Sequence, residues 1–184
     1  NINKKNKVFG GIMNLENFQV RMDTSYPEIV GAKNDPNTVA ILKNLASSAN
    51  ASELLGILTY VFQSVEADKS AEDIAKVLEE IAVVEMTHLD MLMHAITKFG
   101  GVAKYEDSMG RAFHTNYINY NLRLKDMLEQ NIMAETRAIE NYNNAIKKVS
   151  NDSLKALFAR IIEDEECHLK IFKYLKDSVQ FLSC

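Results

Sequence analysis

The sequence predicts an all-α, antiparallel four-helix bundle with one long crossover, preceded by an N-terminal arm. Three observations predict it. Four long stretches carry apolar residues at the helical period. Both prolines, Pro27 and Pro36, fall early, so the second half of the chain is free of the strongest helix breaker. A pattern spanning two helices is also written twice.

Residues 1–35 show no sustained period and contain Gly10, Gly11, Tyr26, Pro27 and Gly31. They read as an arm or short capping elements, with residues 36–184 as the bundle domain. Asp35-Pro36 is an N-cap followed by proline in the first turn, and a helix runs from there to about Ala67. Ser70-Ala-Glu-Asp73 resembles a capping box with Asp in the usual Glu/Gln position. It opens a second helix that stops at Gly100-Gly101. A loop over roughly 101–115 leads to a third helix ending near Val149. Ser150-Asn151-Asp152 supplies a turn and cap, and the fourth helix reaches about Asp177.

At about 100° per residue, each helix has one apolar face. Leu42, Ala46, Ala49 and Tyr60 centre on Glu53 in the first helix. Ile74, Leu78, Ile81, Leu92, Ile96 and Phe99 centre on Glu85 in the second. Leu124, Leu128, Ile139, Tyr142 and Ile146 centre on Glu135 in the third, and Leu154, Phe158, Ile161, Leu169 and Phe172 on Glu165 in the fourth. Every stripe has a glutamate in its middle.

The halves also match. Glu53-Leu-Leu-Gly-Ile57-Leu-Thr-Tyr60 parallels Glu135-Thr-Arg-Ala-Ile139-Glu-Asn-Tyr142. Glu85-Met-Thr-His88-Leu89 parallels Glu165-Glu-Cys-His168-Leu169. Two helix hairpins of one pattern imply a bundle with internal pseudo-two-fold symmetry.

Composition narrows the function. The 184 residues are 47% apolar and 25% charged, with a formal charge of −4, so no basic footprint points to nucleic acid. No apolar run has the length of a signal peptide or a membrane span. Two cysteines make no disulfide framework, and a reducing, cytoplasmic setting is expected.

Glu and His three apart on a helix project from one face and can reach one ion. Six ionisable groups on core-facing stripes are otherwise costly, since an unpaired buried charge costs on the order of several kcal/mol. Two divalent cations cancel four carboxylates, and neutral imidazoles complete the coordination. The expected metal ligands are Glu53, Glu85, His88, Glu135, Glu165 and His168. A lone Glu-x-x-His is a weak signal, and a lone core glutamate is usually a rim residue. The conjunction of two such motifs with two single glutamates, all on apolar faces, outweighs both plain readings.

Other residues carry two readings each. Tyr60 and Tyr142 lie one turn further along the ligand faces. They are candidate catalytic residues or core tyrosines with satisfied hydroxyls, and a phenol donating to a ligand carboxylate serves both. Asp164 is placed to orient an imidazole, or is a capped or solvated aspartate. Glu163, Glu166, Lys170 and Lys173 form a solvated charge stripe. Cys167 points away from Glu165, and His94 and His114 lack a glutamate three residues earlier.

The pattern resembles the ferritin-like superfamily over about residues 37–177, especially the rubrerythrin and bacterioferritin di-iron domains, whose ligand set is the one named above. Ile81-Ala-Val-Val-Glu85-Met-Thr-His88-Leu89, with Gly100-Gly101 beyond it, also looks like manganese catalases. The resemblance implies that Glu85 and Glu165 bridge the ions. Three departures qualify it. Ala138 stands where rubrerythrins usually carry a further glutamate, no rubredoxin-like cysteine quartet is present, and 16 residues after His168 leave no room for the fifth helix of ferritin cages.

The resemblance implies a di-metal oxidoreductase with two iron ions, or manganese or a mixed pair. Its substrate is peroxide or dioxygen, in a peroxidase or ferroxidase reaction supplied by a separate electron donor, and its assembly is a homodimer or small homo-oligomer. Manganese-dependent peroxide disproportionation, and iron binding or storage without turnover, are the alternatives.

Overall fold

The computed structural model describes residues 18–181. Residues 1–17 and 182–184, with Lys4, Lys5, Lys7, Gly10, Gly11 and Cys184, lie outside the described residues. Five α-helices follow the arm: α1 (Pro36–Ser47), α2 (Glu53–Ala67), α3 (Glu72–Lys98), α4 (Leu124–Ile146) and α5 (Asp152–Phe181). Among the described residues there is no strand beyond a single bridge between Glu106 and Ala112, and no helix is long and apolar enough to cross a membrane.

The first predicted helix is two. The Asp35 carboxylate accepts from the amides of Asn37 and Thr38, so α1 starts as expected. The chain then breaks at residues 48–52, where Ser48 and Ser52 are extended and Ala51 takes φ 47°. The Ser52 hydroxyl donates to Ser48 O at 2.7 Å, and Asn50 N donates to Ser48 Oγ at 3.2 Å. These short polar side chains give the backbone partners other than a helix ladder. Ala49, expected on the buried stripe, is exposed.

Two further boundaries move. The capping box at Ser70 does not form: a tight turn places Ala71 at the N-cap, without a side-chain cap bond, and buries it. Glu72 and Asp73 in the first turn favour the positive end of the helix instead. The fourth bundle segment begins at Leu124, so the crossover spans residues 99–123 and not 101–115. Asn119 accepts from the amide of Asn121 at 3.0 Å, and one 3-10 turn forms at Thr115–Tyr117. Local amide caps of this kind hold the stretch out of α4.

The stop after α3 is sharp. Gly100 has φ 87°, and the Gly101 amide returns to Ile96 O at 2.8 Å. A Cβ on Gly101 would lie 2.6 Å from Val39 Cγ1 and 2.9 Å from Ile96 Cγ2, so α1 and α3 approach too closely for a side chain. The crossover is tied down beyond it by the Lys43–Glu106 ion pair at 2.5 Å and by the Ser108 amide on Asn44 Oδ1 at 2.9 Å.

The core has two apolar clusters with a polar layer between them. One joins Leu42, Ala46, Leu92, Ile96, Tyr142, Leu154, Phe158 and Ile161. The other joins Tyr60, Ile74, Leu78, Ile81, Leu128, Phe172 and Leu175. Glu85 and His88 interrupt α3 between them, Glu135 interrupts α4, and Glu165 and His168 interrupt α5. The order in which each helix meets the clusters gives the topology: α2 and α5 run one way, α3 and α4 the other. Parallel neighbours in sequence need a connection that returns along the bundle. The 27 residues of α3 make it about 40 Å long, which accounts for the long crossover.

Candidate metal centre

The polar layer holds the six residues that the sequence singles out. Glu53 opens α2, Glu85 and His88 sit one turn apart on α3, Glu135 lies in α4, and Glu165 and His168 repeat the turn on α5. None exposes more than 5% of its surface. They form two overlapping groups, Glu53–Glu85–His88–Glu165 and Glu85–Glu135–Glu165–His168, each able to hold an ion. Within each group the donor atoms lie within 4.8 Å of one another. Glu85 and Glu165 belong to both.

Both imidazoles turn Nδ1 inward. His88 Nδ1 is 3.1 Å from Glu165, 3.3 Å from Glu85 and 3.5 Å from Glu53. His168 Nδ1 is 3.2 Å from Glu85, 3.5 Å from Glu165 and 3.9 Å from Glu135. Their Nε2 atoms face outward to different partners: Asp164 Oδ2 at 3.1 Å for His88, and the Val20 carbonyl at 2.9 Å for His168. An Nε2–H engaged in this way leaves the Nδ1 lone pair for an ion. His168 Nδ1 and Glu165 Oε1 are buried without a hydrogen-bond partner among the described residues, the condition that a metal ion would satisfy.

The tyrosines cross-brace the carboxylates. The Tyr60 hydroxyl, from α2, donates to Glu135 on α4, and the Tyr142 hydroxyl, from α4, donates to Glu53 on α2. Each ring also packs on a phenylalanine of its own cluster, Tyr60 on Phe172 and Tyr142 on Phe158. They are core tyrosines with satisfied hydroxyls, and those hydroxyls fix two of the carboxylates.

Asp164 orients an imidazole, but that of His88 across the bundle and not that of His168 on its own helix. A helical residue four before His168 lies beside that ring's stem, whereas the α3 imidazole meets it head-on. The Asp164 carboxylate also accepts from the Met22 amide at 2.7 Å and the Tyr26 hydroxyl at 2.6 Å, and pairs with Arg160 at 2.7 Å. Arg160 donates to Thr24 O and Met22 O and lies 4.5 Å over the Tyr26 ring. Tyr26, Arg160 and the Val20 carbonyl are the parts that sequence reasoning missed. The four-residue spacing of Arg160, Asp164 and His168 on α5 was the available signal for Arg160. Nothing in the arm advertises a backbone carbonyl.

The cluster divides its protons. Burial raises Glu53 and Glu135 well above the usual carboxylate range, and the neighbouring charge of Glu85 on Glu53, and of Glu165 on Glu135, adds to it. Burial also pushes Glu85 and Glu165 upward, but the two imidazoles set against them outweigh it and hold both low, Glu165 at about 2. Burial works against charge on the imidazoles too, yet their carboxylate partners raise both, His168 to about 10. Burial would raise Asp164, but its bonds to His88, Tyr26 and Met22 hold it at about 2.

On the side away from the arm, a cavity of about 210 Å³ reaches Glu53, Glu85, Glu135 and Glu165 between α2 and α4. Its walls include the small residues Gly56, Ala134 and Ala138, and Arg137 lies in its lining. His94 and His114 are exposed, and Cys167 is half-buried outside both groups.

The chain is similar in structure to KatB, a manganese catalase from Anabaena, at 23% identity and TM-score 0.76 over 86% of this chain and 81% of the other. A second structure of wild-type KatB gives TM-score 0.78, again at 23% identity, over 88% of this chain and 81% of that one. The bacterioferritin of Desulfovibrio desulfuricans, whose structure describes a diiron site, matches at 22% identity and TM-score 0.65, over 80% and 88% of the two chains. These likenesses show a shared ferritin-like bundle. No curated protein sequence matches. The sequence profile of rubrerythrin matches residues 43–176, most of the chain and all six residues of the polar layer, and the chain belongs to the rubrerythrin family.

Proposed function

We propose that the chain is a di-metal carboxylate oxidoreductase, holding two iron ions and acting on peroxide or dioxygen as a peroxidase or ferroxidase. The observation that carries this reading is the pair of overlapping donor groups sharing Glu85 and Glu165. Paired redox metals supply two electrons and bind both oxygen atoms of a peroxide.

The protein's own residues have distinct parts in this reading. Glu85 and Glu165 lie between the two positions and His88 and His168 complete one each. Glu53 and Glu135 are terminal, each held by the tyrosine of the opposite hairpin. The arm closes the imidazole side to water, so substrate enters through the cavity between α2 and α4. Glu53 and Glu135 line that cavity, so the two carboxylates that would each serve one ion are the ones nearest an entering substrate. The reading carries with it a separate electron donor and a homodimer or other small oligomer.

Manganese-dependent disproportionation of peroxide is the second reading. It needs no donor, and within these 184 residues no cysteine quartet supplies one. Metal-free protein loaded anaerobically with ferrous or manganous ion, then given peroxide, separates the cases. A peroxidase consumes many equivalents only with a reductant, and a disproportionating enzyme releases dioxygen without one. Consumption that stops after about one equivalent with either metal would refute both and leave metal binding alone.

A further inference from the structure

We infer that the N-terminal arm over residues 18–26 is a strap belonging to the metal centre, whose docking positions both imidazoles. Val20 acts directly on His168, and Tyr26, Met22 and Arg160 act through Asp164 on His88. The inference rests on the metal reading above and adds a coupling to it: an ion in the bundle and the arm on its surface stabilise each other.

The geometry is one of occupied valences. Asp164 is wholly buried and each of its oxygens meets two donors. The Met22 amide and Arg160 guanidinium meet Oδ1; the Tyr26 hydroxyl and His88 Nε2 meet Oδ2. Tyr26 also approaches His88 directly, with its hydroxyl 3.3 Å from Nε2 and the rings edge-on at 5.9 Å. Lifting the arm would take two donors from Asp164. It would take from Arg160 both carbonyl acceptors and the Tyr26 ring. His168 Nε2 would lose the Val20 carbonyl, its hydrogen-bond partner among the described residues. Water would then reach the back of both rings, leaving His168 without its Val20 partner and His88 held by an Asp164 that has lost two of its own donors.

Apolar packing alone does not explain this arrangement. Phe18 stacks edge-on against Tyr174, and Ile29 packs on the core, which suffices to lay the arm along the bundle. The polar bonds of residues 20–26 are directed at Asp164, Arg160 and the two histidines. Partners in this position typically change metal affinity by about 10–100-fold. Coupling is reciprocal, so an ion whose affinity depends on the docked arm holds the arm down by the same factor.

The test uses the full chain. Chelator-competition titrations with Mn²⁺ compare wild type, Tyr26→Phe and Arg160→Gln, and the ligand-field absorption of Co²⁺-loaded protein reports the imidazole environment. In parallel, trypsin cleavage after exposed Arg21 is timed by mass spectrometry with and without Mn²⁺, since the scissile amide is the Met22 N–H that Asp164 holds. We expect affinity lower by about 10–100-fold in both variants, a shifted Co²⁺ spectrum in Tyr26→Phe, and cleavage at Arg21 slowed at least ~10-fold by Mn²⁺ in wild type. The proteolysis needs no variant, so a poorly folding Arg160→Gln does not remove the test. Wild type binding two ions, with unchanged affinity in Tyr26→Phe and unchanged cleavage at Arg21, overturns the strap alone. Wild type binding no ion overturns the metal reading and the strap with it.

Discussion

Loading the centre with two divalent ions should release close to four protons. Near pH 7 the metal-free layer holds two raised imidazoles as cations and two raised carboxyls, Glu53 and Glu135, as neutral acids. Glu85 and Glu165, both held low, are anions. The six groups then sum to zero charge. The loaded layer needs four carboxylates and two neutral imidazoles against four positive charges, which again sums to zero. Two protons leave the imidazoles and two leave the carboxyls, while Asp164, held at about 2, keeps its charge throughout. Each proton released adds one decade per pH unit to the affinity, so the overall constant for the pair should rise by about four decades per pH unit around neutrality. Calorimetric titration of metal-free protein with Mn²⁺ in two buffers of different ionisation enthalpy gives the proton count directly. A count near zero would mean that the four carboxylates already stand ionised and both imidazoles neutral in the apoprotein, and this account of how burial and the imidazoles divide the protons would be wrong.

Three further outcomes follow from the same geometry. Glu53, Glu135 and the imidazoles are raised, so the fold retains protons above the unfolded values of 4.5 and 6.5. Glu165, at about 2, acts in the opposite sense below 4.5. Metal-free stability, measured by thermal melts, should peak near pH 4.5 and fall as pH rises through the His168 value of about 10. Double replacement Glu53→Gln and Glu135→Gln should stabilise the apoprotein and abolish most of the metal-induced gain. In wild type that gain is about 2.7 kcal/mol per site at an ion concentration 100 times the dissociation constant; an equal gain in the variant would refute the cage. Gly101→Ala should cost about 1–3 kcal/mol in denaturant melts, because its Cβ would collide with Val39 and Ile96 where α1 meets α3.

The polar layer was legible because its residues contradict their surroundings. A glutamate centred on an apolar stripe is an anomaly at any helix boundary, and the Glu-x-x-His pairs repeat it on two helices. The period does not depend on exact ends, so the misplaced start of α4 left Glu135 correctly on the inner face. What failed was local. Ala49 continues the apolar stripe of the first helix, yet the small side chains of Ser48, Ala49, Asn50 and Ala51 contribute little burial against a backbone turn. The contacts of the arm were invisible for a different reason. Val20 and Met22 contribute backbone groups that every residue has, so only their position could reveal them.

The repeat explains why a backbone carbonyl of the arm meets His168 in particular. Aligning Glu85 with Glu165 sets Asp164 against Val84 and Arg160 against Glu80. Asp164 on α5 receives the imidazole N–H of His88 on α3, and the symmetric receiver for His168 would be residue 84 on α3. Val84 is buried and has no acceptor. The Val20 carbonyl takes that place, so a backbone oxygen from the arm stands in for the missing carboxylate. The inner layer keeps its two-fold pattern, with Tyr60 on Glu135 mirrored by Tyr142 on Glu53. The outer layer breaks it. An imidazole backed by a carboxylate is a stronger electron donor than one backed by a neutral carbonyl. In the di-metal reading the two positions would therefore be chemically inequivalent, and the His88 position would be the one whose ligand field depends on Arg160 and Tyr26.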